Sequence, residues 1–436
     1  MQQVVNLVWF RRDLRLVDNH ALYLAQQEAE PVLCIFIFDK VILDALEAKD
    51  DARLTFIHNE VSHIKSQLNN LGSDLLTYYG KPLDIWKKVL NEYRVNKVFI
   101  NTDYEPYAKE RDSKVKELLK KKDIELISVK DQVIFHNMEV QTNTGGVYKV
   151  YSQYKNKWLQ QFKKANLTDY GQVDQQKLCK IKSPQPVISL QHMGFRKSNI
   201  EFPPREVKDS LIKNYDKRRD YPFEDATSRL GIHLRFGTIS IRKLVLRAKK
   251  LNEIYLQELI WREFFMNILN HFPYVVNRAF KPKFDNINWL NNEDEFKKWC
   301  EGNTGVPIVD AGMRQLNITG FMHNRVRMIC ASFLTRNLLI DWRWGEAYFA
   351  QQLLDYELAN NNGGWQWAAG TGVDAQPYFR IFNPESQANT WDREQKYIKK
   401  WVPEWGTSKY PKQPMVDLKA TRQRALDVYK KAAQNS

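Results

Sequence analysis

In the stretch "QELIWREFFMN", Glu258 and Trp261 stand three residues apart. On a helix that spacing puts both on one face, where a carboxyl group can read a base edge and an indole can stack beneath it. The stretch equally fits an amphipathic helix with a Glu258–Arg262 pair four apart and a tryptophan in the core. A second stretch, "ANNNGGWQWAA" from Ala359 to Ala369, holds two indoles two residues apart behind three asparagines. Helical residues two apart point about 200° from each other, whereas residues four apart share a face. Trp365 therefore shares a side with Asn361, and Trp367 faces elsewhere. "MHNRVRM" sets Asn324, Arg325, Arg327 and Met328 on a turn or two, with Arg325 and Met328 sharing a face and Arg327 turned away. Two arginines facing differently suit two anions, a phosphate and an internal carboxylate such as Asp355. Burying an Arg327–Asp355 pair is expensive unless something planar and polar between the helices uses the charge. Thr227 and Ser228 precede an apolar helical pattern, so either can cap a helix whose first N–H groups suit a phosphate.

Some chemistry is missing. His323 has no second histidine at ligand spacing nearby, and no Ser–His–Asp order is legible. The four cysteines, Cys34, Cys179, Cys300 and Cys330, form no C-x-x-C. No metal site, cysteine-held cluster or hydrolytic nucleophile is expected.

These residues need elements to position them. Over the first 131 residues short apolar runs alternate with amphipathic stretches. Strands are expected at Val4–Phe10, Val32–Asp39, Asp74–Tyr79, Lys97–Thr102 and Glu125–Val129. Helices are expected at Asn19–Ala29, Asp51–Leu71, Pro82–Tyr93 and Pro106–Lys122. That alternation implies βαβ units and a five-stranded parallel sheet covered on both faces, a Rossmann-like layer. Its first turn, "RRDLRLVDNHAL", lacks the glycine fingerprint of a dinucleotide site. Residues 132–200 read as an interdomain linker with one helix near Val150–Lys163. From 201 to 436 apolar residues recur at spacings of three and four, and an all-α domain is expected. The chain of 436 residues carries a net charge of +15 with 13 Trp, 20 Tyr and 22 Phe. Such a surplus favours a polyanionic partner, nucleic acid above all, and the aromatics suit stacking. No secretion signal and no apolar run long enough to span a membrane are legible, so a cytoplasmic protein is expected.

At the quoted motifs, and at "LVWFRRDLRLVDNHAL", "TGVPIVDAGMRQL", "NNGGWQWAAGTGVDAQPYFRIFNP" and "WVPEW", the sequence closely resembles the photolyase/cryptochrome family. Within it, the match is to the bacterial-type class I cyclobutane pyrimidine dimer photolyases. The resemblance spans nearly the whole chain. It implies an α/β antenna domain, a helical domain that binds FAD, fully reduced when active, and blue-light-driven repair of dimers flipped out of ultraviolet-damaged DNA. Tyr215 and the run Thr227, Ser228, Arg229, Leu230 and Gly231 match the flavin phosphate and adenosine contacts. Asp355, Tyr356 and Glu357 match the segment flanking the flavin, Arg327 the arginine pairing with that aspartate, and Asn361 the residue facing flavin N5. Glu258 matches the carboxyl that hydrogen-bonds the lesion. Trp261 and Trp367 match the aromatic pair packed against it, and Met328 its thioether contact. Asn324, Arg325 and Gln387 match DNA-contacting positions. Trp365, Trp342 and Trp289 match the tryptophan chain that relays electrons to a photo-oxidised flavin.

One departure concerns the antenna. Folate-binding relatives carry an Asn–Glu pair after the antenna-domain "YE", where this chain has Tyr107 and Ala108 in "DYEPYAKERD". The departure argues against folate and leaves a deazaflavin, a second flavin or no second chromophore open. The alternative function is a cryptochrome, a blue-light flavin photoreceptor, against which Asn361, Glu258, Trp261, Met328 and the short tail all stand. A bacterial protein acting as a monomer is expected.

Overall fold

The computed structural model describes residues 3–434. The chain divides into two compact units that interleave in sequence. The first takes residues 1–139, 160–205 and 230–247, and the second 140–159, 206–229 and 248–436. The stretch expected as a linker is thus shared between the units, and a return segment, 230–247, belongs with the first.

The first unit is built on β1 (Val4–Phe10), β2 (Val32–Asp39), β3 (Leu75–Gly80), β4 (Arg94–Asn101) and β5 (Glu125–Val129). All pairings are parallel, in the order β3-β2-β1-β4-β5. The helices α1 (His20–Gln27), α2 (Ala52–Asn70), α3 (Pro82–Glu92) and α4 (Pro106–Lys120) alternate with the strands, as their spacing predicts. Start signals are local: the Asn19 side chain accepts from Leu22 N at 3.2 Å, and Pro82 and Pro106 open their helices where no N–H is needed. Every residue of β2 is buried, which is why "VLCIFIFD" reads as an unbroken apolar run rather than an alternating one. Leu7, Ile35 and Val98 of the central strands pack with Trp86, Val115 and Leu119 in one core. The return segment joins this unit through charge. Arg242 pairs with Asp18 at 3.1 Å and with Asp131 at 2.8 Å, and Arg15 pairs with Asp131 at 2.7 Å, all of them buried.

The second unit is helical. It uses the amino-terminal turns of α5 (Tyr151–Phe162), then α6 (Glu253–His271), α7 (Glu293–Glu301), α8 (Pro307–Thr319), α9 (Asn324–Ser332), α10 (Trp342–Gln352), α11 (Leu358–Ala369), α12 (Pro384–Trp391) and α13 (Leu418–Gln434). Its main described core joins Trp299, Leu316, Val326, Phe333, Trp342, Phe349 and Trp365. Helix α10 passes close to α11 because residue 345 is glycine. A Cβ there would stand 2.1 Å from the Trp365 ring.

Candidate functional site

Start at Asn361, which lies on α11 one turn before Trp365. Its amide nitrogen donates twice to Glu346 of α10, to the backbone oxygen at 3.1 Å and to Oε1 at 2.8 Å. Glu346 thereby fixes which way the amide points. The Asn361 oxygen accepts no protein hydrogen bond among the described residues, so it is left for an outside donor. Burial pushes the Glu346 carboxyl up, and only the Asn361 amide pulls it back. At Gly364, on the same side of α11 as Asn361, an added Cβ would meet nothing, so this helix face opens onto free space.

The same unit holds the Arg327–Asp355 pair that the arginine spacing suggested. Arg327 pairs with both oxygens of Asp355, at 3.0 and 3.1 Å, and its Nε donates to Met322 O. The pair is one-quarter exposed, not sealed in the core, as a pair serving a ligand would be. Arg327 and Arg229 both lie over the Phe321 ring, at 5.7 and 4.9 Å, which brings Arg229 beside them. Tyr215 packs edge-on against Tyr255, and the Tyr255 hydroxyl donates to Ser228 Oγ at 2.9 Å. Tyr215, Ser228, Arg229, Arg327, Asp355 and Asn361 therefore share one unit. Thr227 is half-buried beside Ser228, and Tyr356 packs partly buried against the main core. Glu357 is buried and held by Arg262 at 3.0 Å and by the Asn360 amide at 2.6 Å. Leu230 and Gly231 fall in the first unit.

Two local expectations fail. Neither Thr227 nor Ser228 caps a helix: the next one, Gly231–Arg235, has Leu230 at its cap and no side-chain bond there. Ser228 is spent instead on Tyr255, a partner that local spacing does not reveal. Nor do Glu258 and Arg262 pair along their helix. Glu258 bonds Arg219, and Arg262 bonds Glu357.

A second set of contacts runs through the same unit. Glu258 meets Arg219, and Asp220 meets Arg325 at 2.5 Å. The Arg325 guanidinium lies over Trp391 at 4.6 Å, and Trp391 packs edge-on with the exposed Tyr221. Burial pushes the Glu258 carboxyl up, while Arg219 pulls it down. Asn324 is exposed at the start of α9, with its amide 3.9 Å from Met328 Sδ. Gln387 on α12 carries a buried Oε1 with no partner. Trp261 stacks on Tyr151 at 3.5 Å and 8°, so one face of its ring is covered. Trp367 is half-buried against the main core. The three relay candidates join that core as well, Trp365 and Trp342 fully buried and Trp289 at its margin. Trp299 touches Trp365 edge-on at 6.0 Å.

Glu346, Arg219, Asp220, Trp391 and Trp299 escaped the sequence reading. Of these, only Arg219 and Asp220 carried a signal, the basic run "DKRRD". Among the described residues no group of three His, Cys, Asp or Glu side chains could hold a metal ion.

Comparison with known proteins identifies the class. Residues 6–173 match the model of the DNA photolyase family, and residues 255–408 match that of the FAD binding domain of DNA photolyase. A deoxyribodipyrimidine photo-lyase of Halobacterium salinarum is 36% identical over an alignment covering 92% of this chain and 89% of its own length. A bacterial class III photolyase from Agrobacterium tumefaciens superposes with a TM-score of 0.87 at 30% identity, covering 100% of this chain and 98% of that one. An archaeal photolyase from Sulfolobus tokodaii, solved with two FAD molecules, superposes at 0.82 with 33% identity, covering 98% and 99%. The chain belongs to the DNA photolyase family, with its five-stranded parallel α/β unit and its helical FAD-binding region.

Proposed function

We propose that this chain is a DNA photolyase that repairs cyclobutane pyrimidine dimers. The observation that carries the proposal is the gathering, in one helical unit, of a carboxyl–guanidinium rim at Glu258 and Arg219 with the polar face at Asn361, Arg327 and Asp355. When bound and fully reduced, FAD would supply light-driven electron-transfer chemistry to the lesion.

The residues present fit that group. The free oxygen of Asn361 accepts from a protonated flavin nitrogen without adding negative charge, and Glu346 holds the amide in that orientation. Arg327 and Asp355 offer a donor and an acceptor to a planar heterocycle. Tyr215, Thr227, Ser228 and Arg229 supply hydroxyls and a cation for phosphate and adenosine. On the substrate side, Glu258 hydrogen-bonds the pyrimidine edge, while Trp261, Trp367 and Met328 pack against the flipped bases. Asn324, Arg325 and Gln387 position the strand through its backbone. Trp365, Trp342 and Trp289 return electrons to the cofactor when it has been oxidised.

No folate antenna belongs to this reading. The Tyr107 hydroxyl is committed to Asp39 Oδ2 at 2.6 Å, and Ala108 is buried with no polar group to offer. A second flavin is the candidate that an absorption spectrum tests, by the flavin released per chain. The decisive experiment illuminates purified protein with DNA carrying each lesion type. Loss of cyclobutane dimers only under blue light is the expected result. Binding of FAD with no loss of any lesion would favour the photoreceptor alternative.

A further inference from the structure

Dimerised pyrimidines present carbonyl oxygens, which accept hydrogen bonds. A carboxylate facing them would set acceptor against acceptor, whereas a neutral carboxylic acid donates. In the DNA-free protein, however, Glu258 is ion-paired with Arg219. The pair lies at the rim, with the two side chains 30% and 35% exposed. Arg218, 54% exposed, stands next to it in the run "DKRRD".

We propose that Arg219 switches the charge of Glu258 in response to DNA. Without DNA the guanidinium holds Glu258 as a carboxylate. When a lesion-bearing strand docks, a backbone phosphate takes the guanidinium, and Glu258 gains a proton from solvent and donates it in a hydrogen bond to a pyrimidine carbonyl. One O–H bond forms, a solvent proton is consumed, and nothing is oxidised or reduced.

The charges around Glu258 favour this exchange. Facing it are Arg219 and Asp220, Tyr215 on the short helix Tyr215–Arg218, and Tyr151 on α5. Burial and the Asp220 charge push the Glu258 carboxyl toward its neutral form, and Arg219 alone opposes them. Both tyrosines are themselves shifted upward by burial and stay uncharged, so neither replaces the departing cation. In the DNA-free protein Asp220 pairs with Arg325 at 2.5 Å and lies 3.8 Å from the Arg219 guanidinium. Phosphate is the natural competitor, since it offers a full charge and a bidentate match to guanidinium.

The switch rests on the DNA-repair assignment, and its test separates the two. Calorimetric titration in the dark, with a duplex carrying one thymine dimer and buffers of different ionisation enthalpy, counts protons taken up on binding. Wild type should take up close to one proton, and its affinity should fall with rising pH by up to about tenfold per unit. Glu258→Gln should bind the lesion with no uptake from this site and lose that pH slope. Arg219→Gln should take up less than wild type, because losing the cation shifts its Glu258 toward the neutral form before DNA arrives. No uptake by wild type, or unchanged uptake in Glu258→Gln, overturns the switch. Lesion-selective binding and light-dependent dimer loss are read on the same preparations. Their absence overturns the repair function and the switch together, while their presence without proton uptake removes the switch alone.

Discussion

Glu258 is half-buried with one cation for company, and that arrangement fixes what its removal does. Replacing it with alanine deletes the hydrogen bond to the lesion and leaves Arg219 only its longer contact with Asp220, at 3.8 Å. A hydrogen bond between uncharged partners contributes roughly 0.5–1.5 kcal/mol, so lesion affinity should fall about two- to tenfold. The repair yield per absorbed photon should fall too, while the flavin absorption spectrum stays as it was. An unchanged yield would remove the role assigned to Glu258. At Asn361 the informative change is to aspartate. Asn361→Asp sets a second carboxyl against Glu346, which burial already pushes toward neutrality. The added negative charge should lower the reduction potential of bound flavin, read by spectroelectrochemistry. An unshifted potential would mean that residue 361 does not face the cofactor.

At the scale of elements, α10 and α11 carry much of the site between them. Their closeness depends on Gly345, where a Cβ would meet the Trp365 ring at 2.1 Å and Leu334 at 2.6 Å. Gly345→Ala must push these helices apart or tilt the indole. Overpacking of this sort costs about 1–3 kcal/mol, which a thermal melt would detect. The same shift loosens the Glu346–Asn361 bond, so the flavin spectrum should change with it. Trp342, fully buried at the start of α10, is the second member of the proposed relay. Trp342→Phe should block photoreduction of oxidised flavin and spare repair by enzyme already reduced. If photoreduction survives, Trp299, edge-on to Trp365 at 6.0 Å, is the next indole to replace.

For the whole molecule, charge and acidity are the levers. With a net charge of +15, DNA binding should weaken with salt. Three phosphate contacts would lower affinity by roughly 40-fold between about 50 and 200 mM salt, and Arg325→Ala should flatten that slope by about one counterion. Acid sensitivity is expected at His323. Its Nδ1 accepts from Arg325 N at 3.1 Å, capping α9, a role only the unprotonated ring can fill. Burial lowers it from the ordinary 6.5 to about 4. The folded state therefore resists a proton that the unfolded chain accepts. Its stabilising effect is complete above about 6.5 and is lost as pH falls through about 4, a swing of roughly 3 kcal/mol at most. His323→Asn keeps a capping oxygen and should show a shallower loss of stability over that range. An identical acid profile would exclude His323 as the source.

The strands, the helices between them and the helical nature of the second half were legible because each depends on local periodicity. Strand β2 is apolar throughout because both its faces are covered, and α11 separates Trp365 from Trp367 by helical angle alone. The Arg327–Asp355 pair was also legible, as two complementary charges in neighbouring motifs. Tertiary structure alone decided who partners whom elsewhere. Ser228 turned from capping to Tyr255, Glu258 from Arg262 to Arg219, and Asn361 acquired Glu346 across two helices. It also assigned residues 230–247 to the α/β unit, through a buried Arg242 held by Asp18 and Asp131. Periodicity records which way a side chain points relative to its own backbone. Its partner depends on which other segment is brought within about 3 Å, and no local pattern holds that distance.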